Sequence, residues 1–175
     1  MIARLLDRAG SRSRSRGDEG ERLGGYIYGT IVVLSTIIGG VQAFKDGAGH
    51  IALLVLATTV VFWLAHVYAD ALADSIHRGE HLTRRELMQI ARRESSIIEA
   101  AVAPVLLLAL GSLGLLSVRT AAWLAFLAGL IVLVTEGFAF ARAEKLGALA
   151  TLVIVAANLT IGLSLVALKL WVTHH

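Results

Sequence analysis

Four ionisable side chains fall at helical spacing near the middle of this chain: His66, Asp70, Asp74 and His77 are separated by four, four and three residues. On an α-helix that spacing gathers them within about one quarter of the circumference. Two further carboxylates, Glu99 and Glu136, stand at the start of one apolar run and near the end of another. A charge in hydrocarbon costs about 2.5 kcal/mol or more, so such residues require a partner, water or a function. Imidazole and carboxylates that face one another make a hard-ligand site for a divalent cation, or a proton relay near neutral pH. His66, Asp70, Asp74, Glu99 and Glu136 are therefore the candidate ion- or proton-binding set, and a divalent cation is the ligand they would accept. The competing arrangement is structural: the same carboxylates pair with Arg92, Arg93 or Arg142 at headgroup level.

One catalytic pattern occurs beside this stripe. His77, Arg78, Gly79, Glu80 and His81 have the H-x-x-E-H spacing of inverted zinc proteases. That chemistry needs two imidazoles on one helical face, a carboxylate base and a third protein ligand. Gly79 interrupts the helix between the histidines, so the expectation for His77, Glu80 and His81 is weak metal binding without catalysis. The chain has no Walker loop, dinucleotide-binding glycine pattern or G-x-S-x-G elbow, and is expected not to be an enzyme. Cysteine is absent, which removes thiolate metal sites, haem attachment and disulfides.

The elements that position these residues follow from composition. Of 175 residues 57% are hydrophobic, with a mean hydropathy of +0.75, above the apolar share of a soluble domain. The apolar residues lie in blocks, and crossing about 30 Å of hydrocarbon takes about 20 helical residues. Five blocks reach that length, over residues 23–44, 51–73, 97–118, 120–141 and 146–170. A β-barrel would need shorter alternating strands in even number. The expected fold is all-α: a polytopic bundle of five transmembrane helices over 23–172, with a helical hairpin extension at 74–96 between the second and third.

Positive charge sets the expected orientation, because cytoplasmic loops retain it. Thirteen of the sixteen Lys and Arg residues fall on one side: six before the first span, five from Arg78 to Arg93, and Arg142 with Lys145. Lys45, Arg119 and Lys169 fall on the other. The expectation is a multi-pass cell-membrane protein with its N-terminus in the cytoplasm and its C-terminus, with His174 and His175, outside. Residues 1–22 hold no apolar run of 7 to 15 residues that would make a cleavable signal, so the first span should direct its own insertion. Serine alternates with arginine from Ser11 to Arg16, among glycines, which predicts a disordered basic tail. Its partner should be anionic lipid headgroups; nucleic acid is not expected, because the tail leads directly into a span.

In the hairpin, Gly79 can end one helix and Thr83 with Glu86 has the capping-box spacing that starts the next. Leu87, Ile90, Ala91 and Ile98 share one face of that helix. Arg85, Gln89, Arg92 and Arg93 share the other, as in an interfacial helix whose arginines, Arg85, Arg92 and Arg93, meet lipid phosphates. Gly25, Gly29, Thr36 and Gly40 form a small-residue stripe on which a second helix can approach closely, within the chain or in a homo-oligomer. Gly147, Thr151, Asn158 and Gly162 form another. Five thin spans enclose little interior, so a homo-oligomer is expected. Together these features predict a small-cation or proton-linked transporter or channel subunit, with a non-transporting membrane scaffold or assembly factor as the alternative.

Overall fold

The computed structural model describes the backbone of residues 2–44, 47–79 and 82–174, and within it the side chains of 20, 22–44, 47–79, 82–164, 167 and 171. The regular structure among these residues is all helical: α1 (Ile2–Ala43), α2 (Ala48–Arg78), α3 (Arg84–Arg93), α4 (Ser96–Ser112), α5 (Val118–Ala143) and α6 (Ala148–His174). Three stretches are long and apolar enough to cross a membrane: Arg22–Ala43 of α1, all of α2, and all of α5. A fourth crossing arises if α3 and α4, bent by 49° at their junction, are taken as one broken span. In α6 the apolar stretch described, Ala148–Ser164, is shorter. The architecture is that of a helical membrane bundle, with large apolar side chains such as Leu53, Leu64, Leu149 and Leu152 facing outward.

α1 is the central helix. It touches α2, α4, α5 and α6, which follow one another around it as successive neighbours. One core cluster joins Val33 and Ile37 of α1 to Ile51 and Val55 of α2, Ala101 and Leu108 of α4, and Ala122 and Ala125 of α5. A second joins Leu34 to Leu133, with Ile27, Ile31 and Leu130 packed against them. Small residues let the backbones approach. A Cβ on Gly129 would sit 2.7 Å from Leu34, and one on Gly111 would sit 2.7 Å from Ala121 and 3.0 Å from Ala48.

The stripe on α1 is used within the chain. Gly25 lies against Ser96, Gly29 against Ile97 and Ala100, and Gly40 against Ile51, so α4 and α2 are the helices that approach it. Thr36, also buried, donates to the Val32 carbonyl at 2.8 Å. Gly25, Gly29 and Gly40 are thereby occupied and supply no free surface for a homo-oligomer. The stripe on α6 is split: Asn158 donates to the Leu133 carbonyl of α5 at 3.5 Å and Gly162 faces Leu133, while nothing lies near Gly147.

Three expectations change. The third apolar helix ends at Ser112 and does not run on to residue 118, because Gly114 turns left-handed at φ 77°. Gly114 N–H then donates to Gly111 O at 3.2 Å and Leu115 N–H to Leu110 O at 3.1 Å, the Schellman pattern that closes a helix. Ile98 belongs to α4 and not to the face of α3, because the chain turns at Glu94 and Ser95. Residues 2–22, expected to be disordered, are helical and continuous with α1. Arg, Leu and Glu are favourable helix formers, and an interior glycine costs only about 1 kcal/mol, which does not stop a helix that lacks proline.

Gly29 supplies a test of the α1–α4 contact. A Cβ there would meet the Ile97 carbonyl oxygen at 2.7 Å and Ala100 Cβ at 3.1 Å, and the carbonyl cannot swing aside as a side chain can. Gly29→Leu is expected to lower stability in detergent by about 1–3 kcal/mol or more, the usual cost of overpacking. An unfolding midpoint equal to the parent's would show that α1 and α4 do not meet there.

Candidate functional site

The ionisable residues collect where α1 begins its apolar stretch, α2 ends, α3 lies across, and α4 starts. Geometry at the α2–α3 turn follows the sequence closely. Gly79 takes φ 67° and its N–H donates to Ser75 O at 3.0 Å, ending α2. Thr83 Oγ1 accepts the Glu86 N–H at 3.4 Å, while the Glu86 carboxylate accepts the Thr83 N–H at 2.8 Å and its hydroxyl at 2.7 Å. That reciprocal cap satisfies two otherwise orphaned donors. The same carboxylate accepts from Arg78 at 2.7 Å, which ties the end of α2 to the start of α3.

Asp70 pairs with Arg93 at 2.8 Å, and Arg93 also reaches Glu94 at 3.3 Å. Asp74 pairs with Arg78 one turn along α2 at 3.7 Å. Glu99 takes a charge-assisted bond from Arg22 of α1 at 3.0 Å and another from the Ser95 hydroxyl at 2.7 Å. The carboxylates therefore fall into three groups, each on its own arginine: Asp70 and Glu94 on Arg93, Asp74 and Glu86 on Arg78, Glu99 on Arg22. Pairs this exposed are worth up to about 1 kcal/mol each. Their effect is to fasten α3 to α2 and α4 to α1.

The remaining members of the predicted set stand apart. His66 Nδ1 lies 2.9 Å from the Phe62 carbonyl of its own helix, and its ring packs on Tyr28 of α1 with centroids 4.7 Å apart. A carbonyl only accepts, so Nδ1 carries the proton and this nitrogen is closed to a metal ion. Glu136, half-buried in α5, forms no hydrogen bond or ion pair among the described residues. His77 is exposed on the last turn of α2, while Glu80 and His81 lie outside the described residues. The left-handed Gly79 ends the helix between the two histidines. Among the described residues no three His, Asp or Glu side chains gather as a metal site would require.

Two of the three arginines assigned to lipid phosphate, Arg85 and Arg92, make no ion pair among the described residues. Arg93 is different: Asp70 and Glu94 take it, because it stands at the last turn of α3, facing α2. Sequence reasoning missed Trp63, whose Nε1–H donates to the Ala91 carbonyl of α3 at 3.1 Å. Trp63 precedes His66 by three residues and Asp70 by seven, so extending the polar stripe one step back would have found it. Tyr28 and Glu94 were missed too, since contacts between helices leave no spacing to detect. No protein-family model matches the chain, and neither a curated protein nor a solved structure shows a significant match to it.

The cap at Thr83 makes the α3 end of the bundle acid-sensitive. Thr83's N–H, then its hydroxyl, and then Arg78 hold the Glu86 carboxyl below the ordinary carboxylate range. A depressed folded pKa means that the cap's contribution is present above the unfolded glutamate value of about 4.3 and is lost as pH falls through the lower folded value. The Thr83 amide resonance is expected to titrate with a midpoint below 4.3, and Thr83→Ala to return the Glu86 midpoint towards that value. A parent midpoint at or above it would contradict the reciprocal cap.

Proposed function

We propose that this chain is a non-transporting membrane scaffold or assembly factor, crossing the cell membrane five times with its N-terminus in the cytoplasm and its C-terminus outside. The observation that supports this is the division of the acidic residues. Asp70, Asp74 and Glu99 each end on a separate arginine, at 2.8, 3.7 and 3.0 Å, and of the three only Asp74 lines the groove that those arginines bound. A carboxylate already paired with a guanidinium has less to offer a passing cation, and releasing Asp70 or Glu99, though not Asp74, would require breaking a contact between helices. Such an arrangement fixes the angle of α3 against the bundle, which is what a surface presented to other proteins, or to further copies of this chain, needs.

Proton- or cation-linked transport is the second reading, and one residue favours it. Glu136 is a half-buried carboxylate in α5 that no arginine neutralises among the described residues. A carboxylate so placed in a span is the usual mark of an ion or proton path.

Purified protein in liposomes, challenged with a panel of mono- and divalent cations and a trapped pH dye, separates the two. The expected result is flux no greater than in protein-free vesicles. Flux that the parent supports and a normally inserted Glu136→Gln variant loses would replace the scaffold by a transporter. Topology is tested independently, and the absence of native cysteine makes labelling unambiguous. Leu82→Cys should react with an impermeant maleimide from the cytoplasmic face and Leu115→Cys from the outer face. Reversed or same-side labelling would refute the proposed topology.

A further inference from the structure

Two grooves flank α3 and share Gln89 and Arg92. One, of about 500 Å³, is bounded on its far side by Arg22, Arg78 and Arg93; the other, of about 540 Å³, by Arg84, Arg85 and Met88. The arginines on the two sides differ in state. Apart from the shared Arg92, those of the first groove are committed to Asp70, Asp74, Glu86, Glu94 and Glu99. Arg84, Arg85 and Arg92 have no acidic partner among the described residues, and all three are exposed.

We propose that Arg85 and Arg92, with Arg84 and Gln89 beside them, form a binding site for the phosphate headgroup of an anionic phospholipid. Arg85, Gln89 and Arg92 are spaced i, i+4 and i+7, so their side chains line one face of α3 and flank a single groove. Guanidinium groups present paired N–H donors that match phosphate oxygens, and an unpaired pair of them attracts an anion with no internal carboxylate to displace. Gln89 adds a neutral donor between them.

The surroundings point to a lipid and away from a soluble phosphate. α3 follows directly on α2, which is apolar enough to cross a membrane, and leads into the apolar α4. Beside the arginines and lining the same groove, Met88 is 52% exposed, an apolar margin that acyl chains can cover. The inference rests on α3 alone and holds whether or not the bundle transports an ion.

Detergent-solubilised full-length protein is mixed with equal amounts of dioleoyl phosphatidylglycerol and dioleoyl phosphatidylcholine, and the lipid retained after size exclusion is counted by native mass spectrometry. Phosphatidylglycerol should be retained in excess. Arg85→Gln/Arg92→Gln should lower its retention about tenfold or more, at roughly one kcal/mol for each basic residue near an anionic headgroup. Arg119→Gln, in the first turn of α5 at the other end of the bundle, should leave it unchanged. Among the described residues neither Arg85 nor Arg92 forms an ion pair, and equal helix content by circular dichroism checks that the variant is intact. Equal retention of both lipids by the parent, or undiminished phosphatidylglycerol on the double variant, overturns the proposal. Displacement of the lipid by millimolar glycerol phosphate alone would overturn the choice of a lipid over a soluble phosphate ester.

Discussion

The approach of α1 to α4 at Gly25 and Gly29 is the contact on which the rest of the bundle depends. With no side chain on α1 there, Ile97 and Ala100 reach its backbone, and Ser96 packs against Gly25 with its hydroxyl fully buried. That hydroxyl finds no hydrogen-bond partner among the described residues, a cost of about 1–3 kcal/mol that the packing must exceed. Once α4 is seated, Glu99 comes within 3.0 Å of Arg22, and the corner at Glu94 and Ser95 is fixed in space. α3, bent by 49° from α4, then falls back across α2, where Trp63 and Asp70 can hold it. In a membrane, where lipid is as apolar as leucine, such close packing carries much of the association energy that burial supplies in water.

The charged layer is a consequence of that packing more than a cause of it. Apart from Arg93 and Glu94, adjacent in sequence, each acid–arginine pair bridges two elements or two turns, so these carboxylates become acceptable at a membrane boundary because the helices bring the guanidinium groups to them. Glu94 is the exception, since its arginine is its neighbour in sequence. It is 9% exposed, at a helix junction, and is tolerable because Arg93 lies 3.3 Å away.

The helical bundle, the hairpin and its cap were legible because each is encoded locally. Apolar runs of fixed length, a glycine at the end of α2, and Thr83 three residues before Glu86 all carry their physics within a few positions. The end of α4 was not legible from hydropathy, because Leu113, Leu115 and Leu116 continue the apolar run past the left-handed Gly114 that ends the helix. The residues of the polar stripe all lie on α2, and Arg93 stood among the arginines named as structural partners, but the spacing could not choose it over Arg92 or Arg142. Helical spacing reports which residues share a face and is silent on whether Asp70 meets Arg93, Glu136 or water. Only the fold assigned Arg93 to Asp70 and left Arg92 outward.

That division among arginines separates charge of opposite sign across α3. The described carboxylates near α3, Asp70, Asp74, Glu86, Glu94 and Glu99, share three arginines, Arg22, Arg78 and Arg93. Pairing gathers five carboxylates on three arginines on the inner side and leaves Arg84, Arg85 and Arg92 without an acidic partner among the described residues on the outer side of one short helix. A pathway for cations would be poorly served by such a rim, since a row of guanidinium groups at its mouth repels what it must admit. Anchoring α3 to an anionic surface is served well by it, because the inner pairs hold the helix rigid while the outer arginines attract the membrane. On the proposed lipid site, the same amphipathic segment that packs on the bundle with one face would meet the membrane with the other, and the turn of the helix on which each arginine falls decides which it serves.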